Sequence, residues 1–155
     1  MYRGNSDWVD IDNDGLLDIF LIGFNESKSI IIKSYKNIQN DDFIEVDITS
    51  IESIPGSTVN AGVNSARWAD LDGDGLKDVV IAQSTSEDFV LEVYKNLGNF
   101  SFEKQNVGLP KLSYVAMELG DVNNDNLIDI IFTGSPNLSN NTGDGTGDFY
   151  VYTNN

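Results

Sequence analysis

Short apolar runs recur along the chain at 19–22, 79–82 and 130–132, each rich in branched side chains. Runs of that length read as strands buried on both faces. Ahead of each lies another strand candidate, at 6–9, 66–69 and 114–119. Behind the first two comes a turn and a third candidate, at 30–34 and 89–93. These lead into Tyr35-Lys36-Asn37 and Tyr94-Lys95-Asn96, echoed by Tyr152-Thr153-Asn154. A fourth strand is expected from Asp42-Phe43-Ile44-Glu45 and from Asn99-Phe100-Ser101-Phe102-Glu103, the latter behind a Gly98-Asn99 hairpin signal. No apolar period of 3.6 residues occurs, so no helix is expected.

The order strand, loop, strand, turn, strand, turn, strand therefore repeats. The expected repeats are 1–54, 55–109 and an incomplete 110–155. Gly, Pro and Ser clusters mark the joints, at 53–57 and 108–111. Four short strands per 50–60 residues predict an all-β chain of β-propeller blades, each a four-stranded antiparallel sheet. About three blades fit this length, fewer than a closed propeller needs, so they are expected to belong to a larger one. The third repeat carries a polar insertion at 135–147 and stops before its outer strand.

The loop between the first two strands is the same each time. The first copy runs Trp8-Val9-Asp10-Ile11-Asp12-Asn13-Asp14-Gly15-Leu16-Leu17-Asp18 and the second Trp68-Ala69-Asp70-Leu71-Asp72-Gly73-Asp74-Gly75-Leu76-Lys77-Asp78. The third is Leu119-Gly120-Asp121-Val122-Asn123-Asn124-Asp125-Asn126-Leu127-Ile128-Asp129. Counting the first Asp as position one, hard oxygens stand at positions 1, 3, 5, 7 and 9. These are Asp10, Asp12, Asp14, the Leu16 carbonyl and Asp18, then Asp70, Asp72, Asp74, the Leu76 carbonyl and Asp78. Loop three offers Asp121, Asn123, Asp125, the Leu127 carbonyl and Asp129. Oxygen ligands converging from a tight turn suit Ca²⁺ better than Mg²⁺, which keeps several waters. Position 6 must turn with positive φ, which explains Gly15 and Gly75, with the tolerant Asn126 in loop three.

An EF-hand would place Glu at position 12 between helices. Here that position holds Leu21, Ile81 and Phe132, inside predicted strands. A dockerin-type loop likewise lacks its helix, and thrombospondin-type calcium repeats carry cysteines. The alternative for any single loop is an Asp/Gly-rich turn without metal, strongest for loop three.

Charge sharpens this picture. The net charge is −16, and eleven of the 25 acidic residues are the loop carboxylates. Phosphate-rich partners are disfavoured, so neither nucleic acid nor membrane insertion is expected. Three Ca²⁺ would bring −16 to −10. There is no His and no Cys, which removes common zinc ligands, disulfides and the commonest general base. No apolar run of about 18 residues occurs. Residues 1–7 lack the apolar core of a signal peptide, so the chain is expected to be cytosolic or cut from a longer protein.

Trp-x-Asp-x-Asp-x-Asp-Gly-x-x-Asp running into an apolar strand, together with Tyr94-Lys95-Asn96-Leu97-Gly98-Asn99-Phe100, resembles the FG-GAP/VCBS repeats. These repeats are the blades of integrin α-subunit propellers and of many secreted bacterial ones. The Leu109-Pro110 lead-in also fits. The resemblance covers nearly the whole chain except the insertion. It implies a disc of radial blades, often seven, with up to three Ca²⁺ here. It also implies extracellular or cell-surface work in binding or adhesion, toward a protein or carbohydrate ligand. Further blades would come from the parent chain or, alternatively, from other copies.

The competing readings are the propeller portion of a secreted polysaccharide-active enzyme and a purely architectural segment. Glu26, Glu87, Glu103 and Glu118 are the carboxylates without an assigned task, and surface charge is the plain reading for each. Trp8 and Trp68 are expected to pack in or between blades, as are Tyr35, Tyr94 and Tyr152. Sequons at Asn25, Asn99, Asn137 and Asn140 read as chance matches in an Asn-rich chain.

Overall fold

The structure, a computed structural model, describes residues 2–27, 29–48, 50–51, 65–84, 89–135 and 148–155. Residues 136–147 of the insertion expected at 135–147, Glu87, and the sequons at Asn137 and Asn140 lie outside the described residues.

Three antiparallel sheets succeed one another along the chain. The first orders β1 (Tyr2–Val9), β2 (Asp18–Phe24), β3 (Ile30–Asn37) and β4 (Phe43–Val46) as 1-2-3-4. The second orders β5 (Ser65–Ala69), β6 (Asp78–Ser84), β7 (Phe89–Asn96) and β8 (Phe102–Gln105) in the same way. The third has three strands, β9 (Ser113–Gly120), β10 (Asp129–Ser135) and β11 (Asp148–Tyr152). There is no helix among the described residues. These up-and-down sheets are β-propeller blades. Their first strands are neighbours, β1 against β5 and β5 against β9.

Register repeats with the sequence. Trp8 pairs with Ile19 and Trp68 with Val79; Ile19 pairs with Tyr35 and Val79 with Tyr94. Fourth strands start level with the Asn of the closing triplet, Phe43 opposite Asn37 and Phe102 opposite Asn96. The Gly98-Asn99 hairpin forms as expected. Three consecutive residues, Gly98, Asn99 and Phe100, have φ of 80°, 51° and 60°. Gln39, Asn40 and Asp41 do the same in the first sheet, without a glycine.

Two apolar cores glue the sheets face to face. One joins Phe20, Ile22 and Phe24 of the first sheet to Val79, Ile81, Tyr94 and Phe102 of the second. The other joins Val80, Ala82, Leu91 and Val93 of the second to Met117, Ile130 and Phe132 of the third. Strand β6 thus buries alternate residues on opposite sides, as its unbroken apolar run predicts. β2 and β10 are less enclosed than their sequences suggest. Ile19, Leu21 and Ile131 are only half-buried, because each of these strands packs against one neighbouring sheet, whereas β6 packs against two.

The two tryptophans diverge. Trp68 meets Phe20 edge-on at 5.0 Å and Phe102 at 6.0 Å, wedged between sheets one and two. Trp8 holds the same repeat position yet is 63% exposed, touching Phe43 at 5.9 Å. The expectation of packing holds for Trp68 and fails for Trp8, which has no preceding sheet to enter among the described residues. The tyrosines divide likewise: Tyr94 is buried, Tyr35 half-buried and Tyr152 exposed.

Candidate metal centre

Each acidic loop links the first strand of a blade to its second and is organised by its own carboxylates. Position 1 caps the turn. Asp10 accepts from the Asp14 and Gly15 amides at 3.0 and 2.9 Å, and Asp70 from Gly73 and Gly75 at 2.7 and 2.9 Å. Asp121 does the same with Asp125 and Asn126. Position 5 accepts from the amide of position 7: Asp14 from Leu16, Asp74 from Leu76, Asp125 from Leu127, all at 2.8–3.0 Å. These are Asx-type turns, which tighten the chain without a sheet partner.

The turn needs left-handed backbone twice. Position 6 has φ of 87° at Gly15, 90° at Gly75 and 70° at Asn126, as expected. Position 4 is left-handed too, at Asn13, Gly73 and Asn124. That second point escaped the sequence reading, although the Asn/Gly alternation at position 4 was the available signal.

Position 9 does something different. Asp18, fully buried, accepts from the Ile11 amide with Oδ2 and from the Asn37 amide with Oδ1, both at 2.9 Å. Asp78 accepts from Leu71 and Asn96, both at 2.8 Å, and Asp129 from Val122 and Asn154 at 3.0 and 2.8 Å. This carboxylate ties the loop's second residue to the end of the blade's third strand. Burial pushes Asp18 and Asp78 above the ordinary 3.8, against the lowering effect of their two amide donors.

The Asn of the closing triplet completes the tie and extends it to the neighbouring blade. Asn96 Nδ2 donates to the Lys77 carbonyl at 3.0 Å and to the Ile11 carbonyl of the previous blade at 2.8 Å. Asn154 repeats the second bond, donating to the Leu71 carbonyl. Asn37 donates to Leu17 at 3.1 Å.

The Lys of the same triplet lies over the loop. Lys36 Nζ reaches Asp12 and, at 2.7 Å, Asp14; Lys95 Nζ reaches Asp72 and, at 3.2 Å, Asp74. Hydrogen bonding to Lys36 holds Asp14 below 3.8; for Asp74 the Leu76 amide is the larger cause and Lys95 adds to it. Both lysines are held above 10.5 by these carboxylates.

Carboxylate oxygens of Asp10, Asp12 and Asp18 lie within 4.8 Å of one another, and those of Asp70, Asp72 and Asp78 do likewise. Asp14 and Asp74 stand outside these trios, turned to lysine and to the position-7 amides. Asp121, Asn123, Asp125 and Asp129 form no such trio of acids, because Asn123 supplies an amide. Its Nδ2 donates to Asp125 at 2.8 Å. The Leu16, Leu76 and Leu127 carbonyls, expected at position 7, have no described contact that orients them toward the trios. Asp12 is the informative residue. Its side chain is only 9% exposed, and its buried Oδ1 accepts no hydrogen bond. A buried carboxylate oxygen without a donor is costly unless a cation faces it. A cluster of three hard carboxylates, Asp12 with Asp10 and Asp18, fits Ca²⁺, and the absence of His and Cys disfavours zinc.

Of the four glutamates left without a task, Glu87 lies outside the described residues. Glu118 binds Arg67 at 3.1 Å, linking β9 to β5, while Glu26 and Glu103 are exposed.

Without metal, Asp18 and Asp78 set a definite pH response. Their raised values mean the folded chain holds these protons more tightly than the unfolded one. Their share of stability therefore grows as pH falls from neutral toward 3.8 and shrinks as pH rises. Protonation also relieves the general negative charge. In EDTA the melting temperature should rise on mild acidification, with a smaller slope in Asp18→Asn. With Ca²⁺ present the slope should reverse, since ligands must be deprotonated.

A family model described as FG-GAP-like repeat matches residues 10–81 and again 70–132, each match spanning two of the acidic loops. No curated protein and no solved structure matches the chain.

Proposed function

The chain belongs to the FG-GAP-like repeat family, and from that premise we propose that its acidic loops bind Ca²⁺ to staple propeller blades. The repeat is an architectural module and is not catalytic by itself. The observation that carries the calcium reading is the buried, unpartnered Asp12 Oδ1 beside Asp10 and Asp18. Asp10, Asp12 and Asp18 would hold one ion, and Asp70, Asp72 and Asp78 a second. The ion would supply charge neutralisation and fixed loop geometry, so its role is structural. Loop three, with Asp121, Asn123, Asp125 and Asp129, has fewer carboxylates and would bind last.

The blades thus held would serve a secreted or cell-surface protein that binds a protein or carbohydrate ligand. The acidic surface supports that assignment against phosphate-bearing partners. Immobilised glycans and proteins screened with the calcium-loaded chain would return a ligand. A clean screen would leave the architectural role alone.

Calcium should stabilise the fold by mass action. Open sites of this kind have Kd of about 10⁻⁴–10⁻³ M. At ~10 mM Ca²⁺ each site should then add roughly 1.5–2.5 kcal/mol. Thermal melts in EDTA and in Ca²⁺ should differ by several degrees, and Asp12→Ala should remove about half of the difference. Equal melting temperatures in the two buffers would sink the proposal.

A further inference from the structure

Loops one and two already contain a cation of their own. The ammonium of Lys36 sits on Asp12 and Asp14, and that of Lys95 on Asp72 and Asp74. Both lysines arrive from the third strand of their blade, at the residue before the Asn that closes the loop. The pattern breaks in loop three in two places at once. Thr153 replaces the lysine, and Asn123 replaces the position-3 aspartate. Asn123 Nδ2 then makes to Asp125, at 2.8 Å, the bond that the ammonium makes to Asp14 and Asp74 elsewhere. Loops one and two each combine four carboxylates with one contacting ammonium, and loop three has three carboxylates with none. The balance is −3 in each case. The lysine thus accompanies the extra carboxylate and acts as its counter-ion.

The position-3 carboxylate is shared between two demands. Asp12 gives Oδ2 to Lys36 and keeps a buried, unpartnered Oδ1, while its carboxylate clusters with those of Asp10 and Asp18. A divalent ion among those oxygens would lie within a few ångströms of the ammonium, and two cations that close repel.

We propose that Lys36 and Lys95 are the resident cations of loops one and two, and that a divalent ion binds there by displacing the ammonium from the position-3 aspartate. This rests on the calcium reading above and adds a competitor to it. The lysine holds the loop closed while metal is absent and weakens metal binding in proportion. Loop three has no such competitor and depends on its amide.

The test uses the full chain, CaCl₂ alone as titrant, and three variants. Lys36→Met and Lys95→Met keep the aliphatic stem and remove the ammonium. Lys77→Met removes the same charge beside loop two, from an exposed side chain with no described contact to these carboxylates. Each of the first two variants should tighten calcium binding at its own loop by about five-fold, the order for losing one partly exposed ion pair. Lys77→Met should change affinity by less than about two-fold, as a screened surface charge does. In EDTA, Lys36→Met and Lys95→Met should melt below the parent chain, and saturating Ca²⁺ should abolish that gap. Unchanged or weaker affinity in both variants would overturn displacement. So would a melting gap that survives calcium, which would show that lysine and metal bind together. Equal tightening in Lys77→Met would reduce the effect to net charge and also overturn it. If the parent chain gives no calcium heat, the calcium reading itself falls and takes this one with it.

Discussion

Asp78→Ala should destabilise the chain by about 2–5 kcal/mol in EDTA, with no metal involved. The reason is the double duty of this carboxylate. It accepts from the Leu71 and Asn96 amides, both at 2.8 Å, and it is almost fully buried. Removing it leaves two amide donors without an acceptor, and each such loss costs about 1–3 kcal/mol. Asn96 would also lose its anchor, and its Nδ2 bond to Ile11 ties blade two to blade one. Asp78→Asn keeps the volume and one carbonyl acceptor, so it should lose less. Asp74→Ala should cost clearly less than Asp78→Ala, because that side chain is 34% exposed and gives up one amide bond, from Leu76, that water can replace. Denaturant unfolding of the three variants in EDTA measures this. Equal effects of Asp78→Ala and Asp74→Ala would show that position 9 has no structural role apart from metal.

Phe20→Ala should cost about 3–5 kcal/mol, the range for emptying a buried aromatic site. Phe20 is fully buried in the core between the first two blades and faces the edge of Trp68 at 5.0 Å. The cavity would open at the joint between blades and leave Trp68 without its best partner. Trp8→Ala removes a larger ring, from the position of blade one that matches Trp68 in blade two. It should cost under about 1 kcal/mol, because that ring is mostly in water. The ratio of the two losses measures how far stability comes from blade-to-blade packing and how far from each sheet alone. Similar losses would contradict the packing described here.

Strands, loop positions and the family were legible because repetition multiplies weak signals. One apolar run such as 79–82 could be helix or strand; three runs at the same distance behind an Asp-rich turn could not. The position-6 glycines were legible for a local reason, since left-handed backbone excludes most side chains. What escaped was long-range. Lys36 and Lys95 stand 24 and 23 residues after Asp12 and Asp72, so strand pairing alone brings them onto the loop. The triplet Tyr-Lys-Asn was visible as a repeat, but its lysine and asparagine carried no sign of their targets. The bond from Asn96 to Ile11 spans 85 residues and exists only once two blades are packed. Position 9 was legible as a carboxylate but not as an acceptor of two backbone amides, because one of its donors comes from the far end of β3, β7 or the segment after β11. Trp8 and Trp68 are indistinguishable in sequence, and their exposure differs because, among the described residues, only Trp68 has a neighbouring sheet to enter.

The proposed calcium sites are the trios Asp10-Asp12-Asp18 and Asp70-Asp72-Asp78. Isothermal titration of the chain with CaCl₂ tests this assignment most directly. At least two binding events per chain are expected, one removed by Asp12→Ala and another by Asp72→Ala, with Glu103→Ala changing neither. Absence of binding heat, or binding that survives both aspartate substitutions, would contradict it.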